Sequence, residues 1–139
     1  MAGKNQPKRI KSVWYDKNTN TIKFRNKVNG YVIGDFCSAI NAYFSSKAKD
    51  LIVDFSSVER AYPIGMLGII STINDLTSAG HNVSIILPEN RNTANLFKND
   101  NWAYFLSPNQ FRLSESQHDR HLVTRQFTDG KERCCVEKY

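Results

Sequence analysis

The chain has 139 residues, is 40% hydrophobic and 23% charged, and carries a net charge of +6. That length suits one domain with a real core, and no apolar run approaches the roughly 20 residues of a membrane span. The opening Met1-Ala-Gly-Lys-Asn-Gln-Pro-Lys-Arg9 lacks a secretory apolar stretch, so a cytoplasmic location is expected.

The charge is uneven. Residues 1–27 hold eight Lys/Arg against Asp16 alone, a local balance of +7, and the remainder is near neutral at −1. Residues 1–11 read as a basic flexible leader. Lys4, Lys8, Arg9 and Lys11 are its candidate contacts for a polyanion such as nucleic acid, with a solvated tail as the competing reading.

Ser12–Asp16 and Thr21–Arg25 are β-rich, and Ile22 and Phe24 alternate with Thr21, Lys23 and Arg25. The polar run between them predicts a hairpin. Tyr31-Val-Ile33 reads as a short extended piece. From Asp35, placed to cap a helix, Phe36, Ala39, Ile40, Tyr43 and Phe44 recur at helical spacing. Cys37 is assigned to the same apolar side.

Leu51-Ile-Val-Asp-Phe55 is apolar on both faces except at Asp54, the pattern of a central strand covered on both sides. A loop follows from Ser56. A helix over Ile64–Ser78 then carries the stripe Met66, Ile69, Ile70, Ile73 and Leu76, with Pro63 at its first position and Gly80 at its end. Val83–Leu87 reads as another buried strand and Asn92–Lys98 as a short helix capped from Asn90 or Asn92. Asn101–Leu106 suits a strand or a helix equally. His121–Thr128 reads as one more strand in a polar tail. The order is a β-hairpin followed by alternating helices and strands, an α/β fold on a mixed sheet.

Catalytic signals are sparse. No Gly-x-Ser-x-Gly elbow, phosphate loop or dinucleotide fingerprint is present. His118 and His121 lack a third ligand at suitable spacing, and the adjacent Cys134 and Cys135 have no second pair, so neither a metal nor a cofactor is expected. His81 follows Gly80 in a turn and is expected to be exposed. Asp54, inside an apolar strand, reads as a structural acid bonding backbone near Ser56–Val58; the alternative is a small-ligand or catalytic site at the sheet edge. Tyr62, just before the helix, suits either an interface anchor or a lid over the sheet end.

Val53-Asp-Phe-Ser-Ser-Val58, Gly65-Met-Leu-Gly68-Ile-Ile-Ser-Thr-Ile-Asn-Asp-Leu76 and Ala79-Gly-His-Asn-Val-Ser-Ile-Ile-Leu87 together resemble the STAS domain of sulphate transporters and anti-sigma-factor antagonists. The resemblance spans residues 12–106. It implies a small mixed sheet flanked by helices and, for the antagonists, docking on an ATPase of the histidine-kinase type that is broken by phosphorylation of a serine at the helix start. Here the matching positions read Pro63-Ile64-Gly65, so the docking surface is expected without the switch. Arg120–Asp129 is also similar to the junction in bacterial proteins that carry a divergent, serine-free domain ahead of such an ATPase. Residues 107–139 then read as a connector or docking tail. The resulting expectation is a non-catalytic interaction module that meets its partner through Tyr62, Pro63, Ile64, Gly65, Met66 and Asn92, with Asp54 and Ser56 shaping the loop.

Overall fold

A computed structural model describes residues 10–114. Lys4, Lys8, Arg9, His118, His121, Cys134, Cys135 and the strand expected over 121–128 lie outside the described residues. Strands β1 (Val13–Asp16), β2 (Thr21–Val28), β3 (Asp50–Ala61) and β4 (Asn82–Ile86) form one sheet in that spatial order. The helices are α1 (Ile33–Ser45), α2 (Pro63–Ser78), α3 (Arg91–Asn99) and α4 (Trp102–Leu106). The β1–β2 hairpin is antiparallel, and β2, β3 and β4 run parallel. The α/β class and mixed sheet read from the sequence are the ones observed. Among the described residues no helix is long and apolar enough to cross a membrane.

The core lies on one side of the sheet. Val13, Ile22, Phe24, Leu51, Val53, Phe55 and Ile85 face a cluster built from Phe36, Ile40 and Tyr43 of α1, Met66, Ile69 and Ile73 of α2, Phe97 of α3, and Trp102 and Leu106 of α4. A chain of rings crosses it. Phe36 lies 5.7 Å from Phe24, Phe24 stacks on Phe55 at 4.7 Å, and Phe97 joins Phe55 to Trp102 at 5.1 and 5.5 Å. Such pairs add about 0.5–1.5 kcal/mol each beyond the area they bury.

Several expectations are corrected. Residues Gly30–Val32 form a 3-10 turn rather than an extended piece. Asn29 starts it, its Oδ1 accepting from the Tyr31 amide at 3.0 Å. The helical path therefore begins early, and Asp35 sits inside the first turn of α1 instead of capping it. Cys37 is exposed and Phe44 is 49% exposed, each one step past the buried stripe. Trp14, an aromatic that its size would place in the core, is half-buried. His81 is half-buried too, its Nδ1 hydrogen-bonded to the Tyr43 hydroxyl at 2.6 Å.

β3 continues to Ala61 where a loop was expected after Phe55. Two register shifts against β2 let Val58 and Ala61 reach the core despite the polar residues between them. Among the described residues the sheet is covered on one face only: Ile52 and Asp54 of β3 are half-buried on the outer side. β4 is an edge strand with Ile85 alone fully buried. Its outer edge is closed by Gln110, whose side-chain amide accepts from the Ile85 N–H at 2.8 Å and donates to the Ile85 carbonyl at 3.3 Å. Residues 102–106, compatible with either element by sequence, form α4, entered through Asn101 at φ 63°.

Candidate functional site

The end of β3 and the start of α2 bring the expected contact residues together. Val28 and Ala61 are register partners, and the Tyr62 amide donates to the Val28 carbonyl at 2.8 Å, which fixes the strand exit. Tyr62 is the N-cap in an extended conformation, and Pro63 opens the helix. A proline there forfeits no intrahelical bond. The Tyr62 carbonyl accepts from the Gly65 and Met66 amides at 3.1 and 3.0 Å, satisfying two of the first-turn donors.

The six expected contact residues divide. Tyr62 (40% exposed) and Ile64 (72%) face solvent, as do Pro63 and Asn92. Met66 and Gly65 are buried: Met66 belongs to the stripe facing the sheet, and Gly65 lies against the 29–32 turn. Neither offers a side chain to a partner without rearrangement.

Two exposed apolar residues escaped the sequence reading. Leu67 is 50% exposed and Tyr31 90%. Leu67 stands three residues after Ile64, so both share the helix face opposite the stripe, a spacing visible in the sequence. Tyr31 comes from the 3-10 turn. The Ile64 γ2 methyl is 3.8 Å from where a Gly30 Cβ would be, so the turn that carries Tyr31 packs against Ile64 at Gly30. Scattered exposed apolar residues are ordinary, whereas a gathered set marks a contact surface.

Asn92 occupies the first turn of α3, the short helix expected over Asn92–Lys98. Asn90 caps that helix, accepting from the Thr93 amide at 3.2 Å. The Thr93 hydroxyl donates to the Glu59 carbonyl at 2.5 Å, and the Glu89 amide to the Ser56 carbonyl at 3.1 Å, tying α3 to the end of β3. Asn92 thus borders the same end of the sheet as Tyr62.

Asp54 accepts from the Ser56 amide at 2.8 Å, within β3 itself. Its carboxylate stabilises the strand next to a register shift. An open polar cleft of about 480 Å³ lies between Asn26, Lys27, Asn29, Tyr31, Asp35 and Glu59. Among the described residues no group of three or more His, Cys, Asp or Glu could hold a metal ion. α2 has no serine or threonine before Ser71.

No protein-family model, curated protein or solved structure matches the chain.

Proposed function

We propose that this chain is a non-catalytic docking module that engages another protein through Tyr31, Tyr62, Ile64 and Leu67, with Asn92 at the rim. The observation carrying this reading is the gathering of those four apolar side chains on backbone held by close helix–turn packing. Rigid aromatic and aliphatic anchors with little conformational freedom are the usual centres of protein interfaces. The finer reading is a STAS-type domain acting in the cytoplasm on an ATPase of the histidine-kinase type, and it rests on the resemblance of residues 12–106. With Pro63-Ile64-Gly65 at the helix start, association is constitutive or follows the nucleotide state of the partner, rather than a phosphoserine on this chain. The hydrogen bond from Ser56 to Asp54 favours a structural role for that acid over a ligand site.

Affinity capture from native lysate, at low and high salt and with or without ATP, tests the proposal. A histidine-kinase-like ATPase retained at high salt by the wild type and lost by Ile64→Asp is the expected result. An Ile64→Asp chain that folds normally and retains the same ATPase overturns it.

A further inference from the structure

The outer face of the sheet carries a second surface, unrelated to the α2 patch. Along β2, Phe24 and Val28 are buried, and Lys23, Arg25 and Lys27 alternate with them toward the open side. Arg60 of β3 is the register partner of Lys27. Trp14 of β1 is the register partner of Lys23, and the Arg25 guanidinium lies over its ring, 5.1 Å from the centroid. Acids share this face too, Asp50 and Asp54 on β3 and Asp16 on β1. Asp16 pairs with Lys23 at 3.5 Å, and Asp54 is the cross-strand neighbour of Lys23. Both therefore offset Lys23, Lys27 shares the polar cleft with Asp35 and Glu59, and Arg25 and Arg60 remain as the cationic excess. Glu59 is the bulged residue before Arg60 and lines the polar cleft with Asp35.

Like charges directly opposite on neighbouring strands destabilise a sheet. The Lys27–Arg60 juxtaposition thus opposes folding and becomes favourable when an anion lies against it. The Arg25 amide donates to the Ser12 carbonyl at 3.0 Å, so Lys11 enters β1 alongside Arg25.

The geometry points to the outer sheet face as a binding site for single-stranded nucleic acid. Trp14, with Arg25 lying over its ring, provides an aromatic contact for a base; Arg25, Lys27 and Arg60 meet the phosphates. A flat sheet with an aromatic platform suits unpaired bases, because every base has a face to stack. An acidic protein segment uses the charges and leaves Trp14 without a role. Duplex DNA needs an element that enters a groove, and this face raises none.

Fluorescence anisotropy of a labelled oligothymidylate titrated with the full chain tests the site, with duplex DNA and polyglutamate as competitors. Affinity is expected to fall with salt at a logarithmic slope of about −0.7 per phosphate contact. Lys27→Glu and Arg60→Glu each weaken binding about tenfold and remove about one contact from that slope. Trp14→Leu weakens it about tenfold and leaves the slope unchanged, the signature of lost stacking. Ile64→Asp has no effect, which separates this site from the docking surface. A thermal melt of each charge reversal accompanies the titration, and a variant that melts with the wild type has lost binding rather than folding. The inference is overturned by the absence of binding at low salt, by charge reversals that bind like wild type, or by duplex or polyglutamate competing as well as the single strand.

Discussion

Replacing Gly65 by alanine tests the close packing on which the docking surface stands. A Cβ at this position would lie 2.7 Å from the Asn29 carbonyl oxygen, 2.9 Å from its carbon and 3.0 Å from the Asn29 Cα. These are backbone atoms, so no rotamer change relieves the contact. Asn29 is itself anchored, its carbonyl accepting from the Val32 amide at 3.3 Å and its side chain from Tyr31. Alanine is favoured over glycine in a helix by about 1 kcal/mol. Overpacking a well-packed site costs about 1–3 kcal/mol. The balance is a net loss of up to about 2 kcal/mol, each kcal/mol being worth roughly 3–5 °C in Tm for a domain of this size. Two controls isolate the contact. At Gly34 nothing lies within 4 Å, so Gly34→Ala keeps only the helical gain and stabilises by up to about 1 kcal/mol. At Gly68 the nearest atom is the Ile33 δ1 methyl at 3.1 Å, the end of a flexible side chain, and Gly68→Ala falls within about 0.5 kcal/mol of wild type. Urea denaturation followed by circular dichroism ranks the three. A Gly65→Ala chain as stable as Gly34→Ala refutes the close approach of α2 to the 29–32 turn.

Other consequences follow from particular bonds. Thr93→Val removes the hydroxyl that satisfies the Glu59 carbonyl and lowers stability by about 1–3 kcal/mol, seen as a shifted urea midpoint at unchanged m-value. Asp54→Asn retains an acceptor for the Ser56 amide and changes stability by less than about 1 kcal/mol, whereas Asp54→Ala loses about that much. Burial, with the negative charge of Asp50 and the Tyr15 phenol adding to it, raises the Tyr43 phenol above its ordinary 10.0. A pKa higher in the folded than in the unfolded state contributes stability that is intact below pH 10.0 and is lost as pH climbs through the folded value. Urea midpoints across the alkaline limb are therefore expected to fall less steeply for Tyr43→Phe than for wild type.

The helical and edge elements were largely legible because their signals are local. The stripe from Met66 to Leu76, with Pro63 before it and Gly80 after it, placed α2 to within one residue of Pro63–Ser78. The asparagines before α3 marked its cap for the same reason. The second half of β3 was hidden because its pairing is tertiary: Ser56, Ser57, Glu59 and Arg60 look like a loop until β2 supplies a partner and two bulges restore the inward positions of Val58 and Ala61. α4 has five residues, too few for a period to show. Part of the docking surface was visible, since Tyr62 and Ile64 precede and open an apolar helix. Tyr31 was not, because its exposure depends on a 3-10 turn set by Asn29, and Met66 was overcounted because it also fits the buried stripe. The alternation of Lys23, Arg25 and Lys27 could be read directly. That the face they share is open depends on all four helices packing against the other one.

The amide of Gln110 gives this fold a terminus where most sheets would have a neighbouring strand. It supplies one acceptor and one donor to Ile85, the same pair a passing backbone would offer. Growth of the sheet by a second chain therefore begins with the displacement of a single exposed side chain, after which each added ladder bond is gain. Gln110→Ala opens that position of the β4 edge to pairing with another strand.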